Sequence, residues 1–239
     1  MTQTNAAPSR SPASSPPLHP HAHGHDHGPD NQAGRSVCWN CEKTIADEDV
    51  CPSCVRVQPF GEARNYYNIL DVPERLALDP GLLTSAYHEK SRLFHPDHHV
   101  GDSEKEQEIS LANASLVNLA FRTLRDPFLR ARYYVARRRG EAGRPTRKAS
   151  LPPAVLMEIM DLREEVQSLA GGGNLPEATT RVRAVLDPLD NEIFSSFDGV
   201  DSIKEGSPEL PSALDLLSER LERRSYIQNL LAELKEKFL

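Results

Sequence analysis

Every thiol in this 239-residue chain belongs to one of two C-x-x-C pairs, Cys38 with Cys41 and Cys51 with Cys54. A two-residue spacing lets a tight knuckle aim both sulfurs at one point. Two knuckles then supply the four soft ligands of a tetrahedral structural zinc site. Protein fills all four positions, so no site stays open for catalysis. The segment 36–57 is too short for a core of its own. Metal would therefore supply on the order of 10 kcal/mol of its folding free energy. Replacing Cys38 is expected to unfold 36–57 alone and leave the rest folded. Iron would fit the same sulfur shell, and two disulfides would use the same residues. Residues 1–20 lack the apolar centre of a secretory signal, which favours metal over disulfides.

The second chemical feature is His95-Pro96-Asp97. Proline lacks an N–H and restricts its predecessor, so a helix must stop near His95. An aspartate at an exposed helix-hairpin tip can present its carboxylate to a partner's arginine. Elsewhere the chain lacks the groupings of an enzyme. No Ser-His-Asp or Cys-His set is visible, because all the cysteines sit in the knuckles. Asp161, Glu164 and Glu165 read as surface helix charges.

The elements that must carry these residues are helical. A short helix holds Tyr66, Tyr67 and Leu70. A second opens at Asp79-Pro80, with Leu83, Ala86, Tyr87 and Phe94 on one face. A third begins at Ser103-x-x-Glu106, which reads as a capping box. Leu116, Leu119, Ala120, Phe121 and Leu124 are expected to be its core stripe. Asp126-Pro127 ends that helix.

After a Gly/Pro-containing linker at 141–153, helices are expected at 154–170, about 177–197 with a bend at Pro188, and about 211–238. In the last of them Leu214, Leu217, Leu221, Ile227, Leu231, Leu234 and Phe238 mark the buried side. Three such amphipathic helices can share one core. The chain is thus expected to be all-α. A disordered His/Pro-rich tail (1–35) and a four-cysteine segment (36–57) precede a helical-hairpin domain (64–140), and a three-helix bundle (150–239) follows. Alternate histidines His19 to His27 in the tail can bind metal weakly, but a low-complexity tail with no role is the favoured expectation.

Charge divides these parts. Residues 64–140 carry 12 Lys/Arg against 10 Asp/Glu, whereas 150–239 carry 9 against 17. The acidic C-terminal part is therefore a poor surface for nucleic acid, which needs clustered cations. No apolar run approaches a membrane span.

The tripeptide and its two flanks, Tyr66-Tyr67-Asn68-Ile69-Leu70 and Val117 to Pro127, resemble the J domain of DnaJ-type co-chaperones. Leu124 to Tyr133 and Leu156 to Glu165 are similar to stretches of HscB, a J-domain family of iron–sulfur cluster assembly. Cys-Trp-x-Cys with Cys-Pro-x-Cys matches a segment found in some of its members. The resemblance implies a co-chaperone with structural zinc on Cys38, Cys41, Cys51 and Cys54. Such a protein binds an IscU-type scaffold and delivers it to an HscA/DnaK-type ATPase.

On that resemblance His95, Pro96, Asp97, Arg92 and Lys90 would meet the ATPase. Leu156, Met160 and Tyr226 would anchor the scaffold, with Met157, Asp161 and Glu164 at the rim. Leu156 and Met160 are four apart and rotated about 100° from the stripe Val155, Ile159, Leu162, Val166 and Leu169, so they form a second strip. The resemblance implies no nucleic-acid or membrane partner and leaves room for self-association through the bundle. It implies a cytoplasmic location in a bacterium, or the mitochondrial matrix in a eukaryote. The second helix departs from ordinary DnaJ: His88 and Glu89 weaken its basic face, and His98 stands where lysine is usual. A specialised ATPase suits this face better than a general one. Other clients, or a zinc-dependent nucleic-acid or metal-responsive role, are the competing expectations.

Overall fold

The computed structural model describes residues 36–141 and 150–238. The histidine tail and most of the linker lie outside the described residues. The only strands among the described residues are β1 (Ser36–Val37) and β2 (Thr44–Ile45), an antiparallel pair with Ser36 opposite Ile45. All the other regular elements are helices, as expected: α1 (Tyr66–Ile69), α2 (Pro80–Leu93), a 3₁₀ turn (Pro96–His99), α3 (Glu104–Arg125), α4 (Pro127–Arg138), α5 (Pro153–Gly171), α6 (Leu175–Ser202) and α7 (Glu209–Phe238).

Local chemistry sets the helix ends. Asn65, Asp79 and Asp126 each accept two backbone N–H groups at the starts of α1, α2 and α4. Proline occupies the first turn of α2 and α4, where its missing N–H costs nothing. Gly172 and Gly173 end α5, and Gly173 takes the left-handed φ of +86° that glycine tolerates. α6 continues through Pro188 as a single 28-residue helix. Flanking turns packed into the bundle core hold that helix, offsetting the backbone bond that proline removes.

The buried residues form a small cluster of Cys38, Ile45 and Cys51 in the cysteine segment and one large continuous cluster through the helices. Tyr67, Leu70, Leu76, Leu83, Phe94, Val117 and Leu124 fill the hairpin region. Val166, Val182, Ile193, Leu217, Ile227 and Leu234 fill the bundle. Two expectations about its lining are corrected. Leu116 and Leu119 are exposed, and α3 instead buries Ile109, Asn113, Val117, Ala120 and Leu124. Those positions recur at three and four residues, whereas Leu116 and Leu119 lie around the side of the helix. In α7, Leu230 is buried more fully than Leu231. The side chain of Phe238 lies outside the described residues.

The capping box is also only half present. Ser103 accepts the Glu106 N–H at 3.4 Å, but the Glu106 carboxylate turns away to Arg56 and the Val57 N–H. That displaced carboxylate joins the cysteine segment to α3. Asn113 adds to the seam, donating to the Gln58 carbonyl (2.7 Å) and accepting from the Phe60 N–H (3.2 Å). Phe60 meets Phe94 edge-on at 5.1 Å.

Candidate functional site

The two cysteine knuckles are built alike. In each, the N–H of the residue four after the first cysteine donates to that cysteine's carbonyl: Glu42 to Cys38 at 3.0 Å and Val55 to Cys51 at 2.8 Å. Each first cysteine in turn donates to the carbonyl five residues on, Lys43 or Arg56. Closing the turn forces a left-handed backbone on Glu42 (φ +58°) and Val55 (φ +59°).

The result brings the sulfurs of Cys38 and Cys54 to 3.6 Å and those of Cys41 and Cys51 to 3.7 Å, with all four sulfurs within 4.8 Å of one another. Burial pushes the Cys38 thiol up, but N–H groups of Cys41 and Asn40 outweigh it and hold the pKa at about 6. Cys41 moves the other way. The Lys43 N–H favours its thiolate, yet burial and the three neighbouring thiols push it up to about 11. Packed thiolates repel one another, so full ionisation needs a cation among them. The geometry and donor set fit a tetrahedral metal ion.

His95-Pro96-Asp97 stands at the tip between α2 and α3. All three residues are exposed, and the Asp97 side chain is 84% accessible. The contacts of His95 and Asp97 stay within the turn: the Asp97 N–H donates to His95 Nδ1 at 3.3 Å, and the two rings of His95 and His98 lie 5.7 Å apart. The next residues tie the turn down. His98 Nδ1 lies 2.9 Å from the Arg92 carbonyl. His99 is buried, with Nε2 3.0 Å from the Leu93 carbonyl and Nδ1 2.8 Å from Asp102.

Burial opposes charge on His99. The Leu93 carbonyl, the Asp102 carboxylate and nearby Glu106 more than reverse this and raise its pKa above the ordinary value. Arg92 shares the exposed surface of the turn. Lys90 does not: its ammonium is buried between Asp49 and Asp71, on the side of α2 that faces the cysteine segment.

In the bundle, α5 buries Leu162 and Val166 and half-buries Ile159 and Leu169. Leu156, Met157 and Met160 remain outside, with the two methionines more than three-fifths exposed. Asp161 and Glu164 are exposed beside them. Tyr226 is exposed on α7. Its helix is locked to α5 by Arg223 with Glu158 (3.0 Å) and by Glu233 with Arg163 (2.7 Å), ion pairs that bracket Tyr226 in sequence. The strip and Tyr226 thus belong to two adjoining helices of one packed unit.

Comparison with known proteins adds three findings. No family model matches the chain. The mouse iron–sulfur cluster co-chaperone protein HscB is 29% identical over 176 residues, 71% of this chain and 75% of the mouse protein. The co-chaperone protein HscB homolog of Aliivibrio fischeri is 33% identical over 114 residues, 48% of this chain and 66% of that protein. The chain belongs to the HscB family. It spans about two thirds of the length of the Aliivibrio relative.

Solved HscB structures share the fold. The human protein superposes with a TM-score of 0.68 at 23% identity, covering 84% of this chain and 98% of the human one. The Vibrio cholerae protein gives 0.55 at 24% identity, covering 73% and 97%. HscB relatives occur in bacteria, mouse and Arabidopsis. No helix among the described residues is long and apolar enough to cross a membrane.

Reading the sequence missed Arg56, His99, Asp102 and Glu106 as a group. Arg56 and Glu106 are 50 positions apart, and the capping-box register offered Glu106 a local role that it does not take. His99 was hidden as the last of three histidines around the turn.

Proposed function

We propose that this HscB-family chain is a co-chaperone of iron–sulfur cluster assembly. It binds an IscU-type scaffold through α5 and α7 and delivers it to an HscA/DnaK-type ATPase. It stimulates ATP hydrolysis through His95-Pro96-Asp97 and performs no covalent chemistry itself. One observation carries the reading: His95 and Asp97 project freely while the turn bearing them is anchored by His98 and His99. An anchored backbone with a free carboxylate suits a charge-assisted contact to a partner's arginine. Arg92 extends this surface. Lys90 is left out of it because both faces of its ammonium are occupied by carboxylates.

For the scaffold, Leu156, Met160 and Tyr226 serve as anchors, with Met157, Asp161 and Glu164 around them. Exposed apolar side chains rimmed by charge suit a partner surface, and methionine adapts its shape to one. Zinc on Cys38, Cys41, Cys51 and Cys54 is structural: four thiolates leave no position for a reacting water. The work belongs to a bacterial cytoplasm or a mitochondrial matrix, a reading supported by relatives in bacteria, mouse and Arabidopsis.

The test uses the full chain. Asp97→Asn or His95→Gln should abolish stimulation of the ATPase with helical circular dichroism intact. Changing Leu156, Met160 and Tyr226 together to alanine should weaken IscU-type scaffold binding at least about tenfold by calorimetry, with stimulation of the ATPase in the absence of scaffold unchanged. Stimulation surviving in either tripeptide variant, or scaffold affinity unmoved by the triple change, refutes the corresponding half of the reading.

A further inference from the structure

We propose that Arg56, two residues beyond Cys54, is a positioning residue for the His-Pro-Asp turn, so that the four-thiol knuckle governs how firmly the turn is held. The proposal deepens the reading of that turn as the ATPase contact and rests on it. Arg56 belongs to the knuckle, because its carbonyl accepts the Cys51 N–H at 2.9 Å. Its guanidinium reaches across to α3, pairing with Glu106 and, at 3.2 Å, with Asp102.

Asp102 in turn holds His99 Nδ1 (2.8 Å), and His99 Nε2 holds the Leu93 carbonyl at the end of α2 (3.0 Å). A continuous polar strut therefore runs from the cysteines to the last residue of α2. The exposed tripeptide lies in the loop this strut closes. The Val57 N–H, donating to the Glu106 carboxylate at 3.3 Å, adds a second tie.

Burial makes the strut consequential. The Glu106 carboxylate is only 3% exposed, so removing Arg56 leaves a buried charge without its counter-ion. His99, Asp102 and Glu106 also lie close enough to share a metal ion. Their ligand atoms are already engaged: His99 faces a carboxylate and a carbonyl oxygen, to which its ring nitrogens donate N–H, and Glu106 accepts from Arg56 and the Val57 N–H. A cation there would have to displace the guanidinium, so the cluster acts as a strut and not as a second metal centre.

Such a strut alters the fraction of molecules with an ordered turn and leaves the groups that touch the partner unchanged. Apparent affinity falls with that fraction, while the effect at saturation is preserved. In the full chain, Arg56→Ala should speed amide hydrogen exchange across residues 97–100 about tenfold. It should raise the concentration needed for half-maximal stimulation of a purified DnaK-type ATPase at least about fivefold, with an unchanged maximum.

Arg56→Lys should restore much of both. Asp102→Asn, remote from the cysteines, should reproduce the exchange effect with metal content equal to the parent protein. Chelating the metal from the parent should do so too. Unchanged exchange in Asp102→Asn with metal retained overturns the proposal, whatever Arg56→Ala does to metal binding. If Asp97→Asn stimulates as well as the parent, the reading of the turn fails, while the exchange data still judge the strut.

Discussion

Val55 holds a φ of +59° at the exposed tip of the second knuckle, where a β-branched side chain is a steric outlier. The closing hydrogen bond to Cys51 imposes that conformation, and such strain costs on the order of 1–3 kcal/mol. Val55→Gly relieves it, against roughly 0.5–1 kcal/mol for the greater freedom of glycine in the unfolded chain. The variant should therefore hold metal at least as tightly as the parent in a chelator competition; faster metal loss would contradict the strain.

His99 yields a pH prediction of defined sign. Its folded pKa is raised above the unfolded value of about 6.5. The stabilisation is complete below that value and is lost as pH rises through the folded pKa. The facing groups are Asp102, Glu106, Arg56 and the Leu93 carbonyl. The stability difference between the parent and His99→Gln, by urea unfolding, should be larger at pH 6 than at pH 9. An equal difference at both would show that His99 contributes only as a neutral ring.

At the scale of elements, the cysteine segment is seamed to the helical hairpin. Arg64 and Lys90 converge on Asp49, Asn113 spans Gln58 and Phe60, and the Lys105 ammonium of α3 lies 5.2 Å from the centroid of the Trp39 ring. The expectation that losing Cys38 unfolds 36–57 alone therefore does not suit the structure. Cys38→Ser should also expose Lys90, Glu106 and Asn113 on α2 and α3. Thermal melting of the hairpin helices should fall by several degrees, about 4 °C or more for each kcal/mol lost in a unit this small. A hairpin melting curve superimposable on the parent's would show that the seam carries no stability.

Across the molecule, the hairpin and the bundle meet through buried polar groups. Asp201, at the end of α6, accepts the N–H groups of Leu76 (2.8 Å) and Ala77 (2.9 Å) with a side chain only 2% exposed. Arg132 pairs with buried Glu222, and the Arg224 guanidinium lies 3.2 Å from the centroid of the Phe128 ring while binding Asp190. These contacts hold the proposed ATPase and scaffold surfaces in one frame. Asp201→Ala strips a buried N–H of its partner, at a cost of about 1–3 kcal/mol. It should lower the melting temperature and separate the unfolding of the two parts in calorimetry. A single transition at the parent's temperature would count against the latch.

The sequence alone determined what depends on near neighbours. The two C-x-x-C spacings, the helix start at Asp79-Pro80, the break at Asp126-Pro127, the stop near Pro96 and the α5 stripe with its second strip were legible because each is a matter of a few residues. The resemblance to HscB rested on the same local runs. What tertiary structure decided involves partners far apart in the chain. Lys90 and Arg92 differ by two positions on one helix, yet Asp49 draws one inward and leaves the other outside. Leu116 looks as apolar as Val117, and only the packing of α3 says which is covered. Glu106 fits a local cap and is instead taken by Arg56, because the guanidinium neutralises a buried carboxylate, whereas the cap would satisfy one N–H.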